Sequence, residues 1–350
     1  MYRPYLQMID KETRVLEIGP LEAPMAARDD GFTNVFYTDI RSTDELKRFY
    51  AKDANVDCDK IVGIDFVLRE NYAETFHDVP KFDYVLASHV IEHMPQLLFS
   101  LRDIAEVLVD GGRLCLTIPD KRYCFDHYRF PTSFAQAYDI YHRGITNNPM
   151  AVLDFVSNAH GTGMNDPVHW RLNPCDYSFM LANPQIASCE ETYLQAMSGK
   201  YIDVHFTVFT PESFLVMMFY ATALGLSPYE CEHFWPTDLN TLEFNVVLKR
   251  IARDTTDDED SKQIRLTRII NLLGSIEDDT LQLEVVKEKY RFVERDAYDD
   301  IVTQRDALDI RRQELEQREA AYLASTSWKV TRPLRSVGRI VKNIREKRGL

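Results

Sequence analysis

The chain has 350 residues, of which 45% are hydrophobic, and a formal net charge of −14. There is enough apolar material for one large or two smaller globular domains, and the acidic balance excludes a general nucleic-acid binder. No run of about 18 apolar residues is present to cross a membrane and no apolar signal region follows Met1, while six cysteines without a C-x-x-C pair read as reduced thiols of a cytoplasmic protein.

In chain order, the first informative stretch is Arg14-Val15-Leu16-Glu17-Ile18-Gly19-Pro20, a short apolar run that ends in a glycine turn. A second run, Asn34 to Asp39, ends in an acid twenty positions after Gly19. That spacing is the pattern of a nucleoside-binding βαβ unit, in which glycine admits the ligand and the carboxylate accepts ribose hydroxyls. Ser42 with Glu45 forms a capping-box pattern for a helix. Strands are expected over 60–64, ending in Asp65, and over 82–87, ending in Ser88-His89. A helix with apolar positions 97, 101, 104 and 108 is expected to stop at Gly111-Gly112. A fifth strand covers 113–118 and closes on Pro119-Asp120. The alternation predicts an α/β fold, a doubly wound, mostly parallel sheet.

Residues 121–208 lack steady periodicity and are too long for a plain loop, so a helical insertion over the strand ends is predicted. Thr210-Pro211 opens a helix that ends at Gly225, and strands follow over about 229–234 and 243–249. This first domain, 1–250, is followed by an acidic linker over 251–262. A long helix is predicted over 263–325, where Ile301, Leu308, Leu315 and Tyr322 recur every seven residues and give it the means to pair as a homo-oligomer. The tail 326–350 carries eight Lys or Arg from Ser327 onward against Glu346 alone. With Trp328 and an apolar face from Leu334 to Ile344, it suits an anionic membrane surface or a partner protein.

Val15 to Gly19, Asp39, Asp65, the string Ala87-Ser88-His89-Val90-Ile91-Glu92-His93 and the helix before Gly111-Gly112 together resemble class I S-adenosylmethionine-dependent methyltransferases of the type 11 branch, over about residues 10–250. The resemblance implies a seven-stranded, Rossmann-like sheet with an antiparallel last strand, and S-adenosylmethionine as cofactor. It places Gly19 and Pro20 against the methionine part, with Glu17 organising the loop. Asp39 falls on the ribose, Asp65 and Phe66 on the adenine, and Ser88 and His89 on the floor of the site. Where the family has further glycines, this chain has Pro20 to Pro24. Ser325 to Arg335 is similar to a segment of bacterial proteins that assemble cell-surface polysaccharides.

Methyl transfer to a hydroxyl needs in-line geometry and a base. His127, His169 and His205 are the candidate bases. Asp120, Arg122, Tyr123, Asp126, His93 and Trp170 are the candidate acceptor contacts. The spacing of histidines and carboxylates specifies no metal, and Asp65, Asp120 and Asp126 could bind one only by chance. The expected function is methylation of a hydroxyl on a glycan or glycan precursor in cell-surface polysaccharide biosynthesis, by a cytoplasmic enzyme peripheral to the inner face of the plasma membrane. An inactive scaffold in a polysaccharide-assembly complex, or a methyltransferase acting on an amine or small metabolite, are the alternatives.

Overall fold

The computed structural model describes residues 3–159, 186–238, 241–252 and 258–276. His169, Trp170, the heptad positions and the basic tail lie outside the described residues.

Seven strands form one sheet: β1 (Val15–Ile18), β2 (Val35–Asp39), β3 (Phe66–Val67), β4 (Phe82–Ser88), β5 (Leu108–Pro119), β6 (Tyr229–Trp235) and β7 (Glu243–Arg250). Their order is β3-β2-β1-β4-β5-β7-β6. Strands β1 to β5 pair in parallel, and β7 runs antiparallel to both β5 and β6. Successive side chains on a strand point to opposite faces, and both faces are covered here. Leu16, Val85, Leu114, Val246 and Leu248 join one buried cluster; Val15, Leu86, Cys115 and Val247 join another.

The first face is covered by α2 (Tyr72–Thr75), α3 (Leu97–Val107) and α7 (Pro211–Ala223). The expected cap is present on α7: the Thr210 side chain accepts from the Ser213 N–H, and Pro211 opens the helix. Likewise α1 (Thr43–Tyr50) begins with the Ser42–Glu45 capping box. The second face is covered by the N-terminal segment around Tyr5 and Ile9 and by residues near Ala26 and Phe32.

Two expectations change. Helix α3 ends at Val107 and the chain enters β5 at once, so Gly111-Gly112 is no helix cap. Gly112 is instead required by close approach, because a Cβ there would lie 2.9 Å from the Val109 carbonyl oxygen and 3.1 Å from that of Asp83. The third strand is Phe66–Val67 rather than 60–64. One residue earlier, the Asp65 N–H bonds to the Tyr37 carbonyl, but the Tyr37 N–H donates to the Asp65 carboxylate at 2.8 Å. A side chain thus takes the place of a ladder carbonyl.

The insertion after β5 is helical, with α4 (Phe134–Arg143), α5 (Pro149–Asn158) and α6 (Cys189–Met197). Its own small core joins Val152 and Val156 to Ala196, Val204 and Phe206. Residues 259–276 are helical and pack onto the sheet domain. Ile269 and Ile276 enter the main core, and Arg268 bonds to the Glu230 side chain and, at 2.8 Å, to the Glu232 carbonyl of β6. The helix therefore begins within the expected linker and closes one edge of the sheet. Among the described residues, no helix is long and apolar enough to cross a membrane.

Candidate active site

Open parallel sheets bind ligands beyond the C-terminal ends of their strands, where the strand order reverses; here that point lies between β1 and β4. Gly19 leaves β1 at φ +63°, and a Cβ there would lie 3.1 Å from Val90 Cγ2. Only glycine holds that conformation without strain. The loop beyond closes without further glycines. Leu21 takes a left-handed conformation, the Ala23 N–H donates to the Pro20 carbonyl, and the Val62 N–H donates to the Leu21 carbonyl. Beneath them the buried Glu17 carboxylate accepts the Met25 N–H at 2.7 Å and the Ala26 N–H at 2.9 Å. Burial pushes the Glu17 pKa up to about 7 in spite of these two donors.

Asp39 ends β2 half-buried, accepts the Arg41 N–H at 3.0 Å, and has its pKa raised by burial. Asp65 and Phe66 stand otherwise than the resemblance implies. The Asp65 carboxylate is held by the Tyr37 N–H and, at 2.6 Å, by Arg28, one pleat short of the strand end. The Phe66 ring packs on Phe76 and Phe36, with centroids 5.0 and 6.0 Å away, so it belongs to the core. The first acid after β3 is Glu70, which spacing alone does not single out.

The N-terminal segment also reaches the strand ends. Arg3 pairs with Glu243 and donates to Ser88 Oγ at 3.2 Å. The Tyr5 hydroxyl lies 2.7 Å from Thr117 Oγ1. Ser88 and His89 are thus fixed from two sides. His89 sits at φ +53° with Nε2 2.7 Å from Glu243. Burial and the nearby Arg3, His205 and His93 push its pKa down to about 3. Glu243 is already neutralised by Arg3, and His89 stays neutral.

The acceptor side gathers residues from β4 and from the end of the insertion. Glu92 is 1% exposed, and neither carboxylate oxygen has a hydrogen-bond partner. Its backbone carbonyl accepts both the Phe206 N–H at 2.7 Å and the Thr207 N–H at 3.2 Å. This anchors the segment that carries Asp203 and His205. His205 is buried, with Nδ1 on Asp126 and Nε2 3.9 Å from Glu92 Oε1. Asp126 is itself gripped by Arg129 at 2.7 Å, and although burial works against its charge, His205 and Arg129 bring its pKa below the usual range. His93 bonds through Nδ1 to Asp203 at 2.9 Å, and its ring meets that of His205 edge-on with centroids 4.8 Å apart. Burial opposes the charge of His93, but Asp203 and Glu92 outweigh it and raise its pKa.

The other acceptor candidates serve the frame. Asp120 is fully buried and holds Arg122 at 2.7 Å and the Thr237 hydroxyl at 2.7 Å. Arg122 is thereby tied to the strand end, and Tyr123 is buried. Asp126 orients His205 from behind. His127 Nδ1 faces the Arg122 carbonyl at 2.7 Å, outside the histidine group. Of the three candidate bases, the structure brings His205 into that group, and it adds Glu92, Asp203 and Arg3. The string His89-x-x-Glu92-His93 was the available signal for Glu92.

Residues 3–161 match the family model of a methyltransferase domain. No curated protein matches the chain. Among solved structures, a SAM-dependent methyltransferase from Methanosarcina mazei is similar at 12% identity and a TM-score of 0.36, covering 72% of this chain and 99% of that one. The CcbJ methyltransferase from Streptomyces caelestis is similar at 12% identity and a TM-score of 0.34, covering 71% and 92%. A methyltransferase from Mesorhizobium loti stands at 11% identity and 0.33, covering 70% and 95%.

Within the seven-stranded fold, residues 3–161, which include the glycine turn, carry a methyltransferase domain. The cradle a Cβ would fill at Gly19 and the Asp39 carboxylate at the end of β2 suit S-adenosylmethionine as a cofactor.

Proposed function

We propose that the enzyme methylates a hydroxyl group of a glycan or glycan precursor. The observation that carries the hydroxyl is the set of three imidazoles at the C-terminal end of β4, each bonded to a carboxylate: His89 to Glu243, His93 to Asp203 and His205 to Asp126. Groups of this kind take the proton that a hydroxyl must lose. When bound, S-adenosylmethionine supplies an electrophilic methyl group and leaves as S-adenosylhomocysteine. Glu17 and Gly19 shape its loop, Asp39 accepts its ribose hydroxyls, and the histidine group holds the acceptor oxygen as its proton leaves. The segment 203–209 and the insertion helices shield this end of the sheet from water.

The glycan class rests on the similarity of Ser325 to Arg335 to polysaccharide-assembly proteins, and the basic charge of the tail supports a position at the inner face of the plasma membrane. The scaffold reading drew on the missing glycines after Gly19; Leu21 and Glu17 close that turn by other means. The test is incubation of the full chain with methyl-labelled S-adenosylmethionine and lipid-linked glycan fractions, followed by mass spectrometry. Label in an O-methyl sugar is expected. Label on nitrogen, or no transfer to any fraction, overturns the proposal.

A further inference from the structure

We propose that Glu92, His93 and His205 bind a divalent transition-metal ion. Among the described residues, one ligand atom from each of the three lies within 4.8 Å of the others. His205 Nε2 is 3.9 Å from Glu92 Oε1. Donors around a bound zinc ion stand roughly 3.3 Å apart, given metal–ligand bonds of about 2.0–2.2 Å. The His205–Glu92 separation needs to close by well under about 1 Å, and none in the group by more than about 1.5 Å, to reach that spacing.

Three further observations point to a cation. A buried carboxylate without a partner is costly, and it needs a hydrogen bond or a positive charge; both oxygens of Glu92 lack a partner. Arg3 neutralises Glu243 and Arg129 neutralises Asp126, which leaves Glu92 with no guanidinium of its own. Each imidazole also has its other nitrogen tied to a carboxylate: Asp203 at 2.9 Å for His93, and Asp126 for His205. Such outer partners fix the tautomer so that the remaining nitrogen faces a metal. The rings of Phe125 and Phe155, with centroids 4.6 and 6.4 Å from that of His205, form an apolar wall behind it. Two nitrogens and a carboxylate suit Zn²⁺, Co²⁺, Mn²⁺ or Fe²⁺ better than Mg²⁺ or Ca²⁺, which favour all-oxygen sets.

The catalytic consequence rests on the methyl-transfer reading, whereas ion binding does not. His93 is half-buried, which leaves one side of the ion open to an acceptor oxygen. An ion held there would take the acceptor hydroxyl on its open side and make its proton easier to lose. The hydroxyl oxygen then forms the bond to the methyl carbon as the carbon–sulfur bond breaks and the electron pair stays on sulfur.

The test uses the full chain, stripped with EDTA and titrated with ZnCl2 by calorimetry and with CoCl2 by visible absorption. One equivalent of Zn²⁺ is expected, with the intense visible bands of low-coordinate Co²⁺. Glu92→Gln and His205→Asn should each weaken Zn²⁺ binding at least a hundredfold. Asp203→Asn keeps every ligand and should weaken it about 10–100-fold, which covers the case in which a ligand variant does not fold. No Zn²⁺ binding at 100 µM, or binding that survives both ligand substitutions, overturns the proposal. Ion binding without methyl transfer to any hydroxyl supports the metal site and defeats the methyl-transfer reading. Full turnover by stripped protein that takes up no ion does the reverse.

Discussion

Glu17 links the fold to the cofactor loop, and its charge can be removed with little change of shape by Glu17→Gln. Burial sets the folded pKa at about 7 against an ordinary 4.5. A raised carboxyl pKa means that the folded chain binds a proton that the unfolded chain has released, so this group's contribution to stability falls as pH rises from the lower value to the higher. At 1.36 kcal/mol per pH unit, charging Glu17 destabilises the fold by about 2–3 kcal/mol between about pH 5 and pH 8. Glutamine carries no charge in that range, so Glu17→Gln should gain on the natural protein by this amount as pH rises. Its amide oxygen can accept one N–H, but its NH2 group cannot accept the other, so one of the bonds from Met25 and Ala26 is lost. The variant should therefore bind S-adenosylmethionine less well while it is the more stable protein at pH 8. Glu17→Ala leaves both buried N–H groups without an acceptor, at about 1–3 kcal/mol each. Urea unfolding at several pH values and calorimetric titration with the cofactor read both effects. If the stability difference between Glu17→Gln and the natural protein is flat with pH, Glu17 titrates normally and the reasoning fails.

Three other substitutions separate binding from folding. Asp39→Ala should weaken cofactor binding by about 1–3 kcal/mol, the range for a charged hydrogen-bond acceptor. Because burial already disfavours its charge, Tm should hold; unchanged affinity in calorimetry would remove Asp39 from the site. Gly19→Ala forces a Cβ into a left-handed position beside Val90 and should lower stability by about 1–2 kcal/mol together with cofactor affinity; a thermal melt that matches the natural protein counts against the cradle. Arg129→Met strands Asp126, which faces it from 2.7 Å in a buried pair. A loss of about 3–5 kcal/mol in denaturant unfolding is expected, and a loss under 1 kcal/mol would mean that Asp126 is held by His205 alone.

Where a signal is local, it is legible in the sequence. The glycine turn after β1, the acid that ends β2, the Ser42 and Thr210 caps and the two closing strands all stand where short-range patterns put them. The third strand fails because two residues of pairing leave almost no periodicity, and because a side chain makes one of its bonds to β2. The expectation for Asp65 and Phe66 has the same origin, since a strand over 60–64 puts Asp65 at its end, whereas Asp65 precedes Phe66–Val67. Asp120, Arg122 and Asp126 look like a polar binding face in sequence, yet each finds an internal partner: Arg122 for Asp120, and Arg129 with His205 for Asp126.

The histidine group shows what spacing cannot supply. His89, Glu92 and His93 form a local string, but a lone H-x-x-E-H fits many strand-to-helix turns. Its third imidazole arrives from the far end of the insertion, brought by two backbone bonds to a single carbonyl, that of Glu92. The insertion is therefore part of the site and more than a cover for it. Residues 203–209 lie along the strand ends, where Phe209 bridges to Asp120, Asp203 meets His93, and His205 meets Glu92. The orientation of His205 depends in turn on Asp126, which Arg129 holds from the segment that leaves β5. Both ends of the insertion thus converge on one imidazole. A change in the insertion that shifts either end by about 1 Å would alter the acceptor side and leave Gly19 and Asp39 intact.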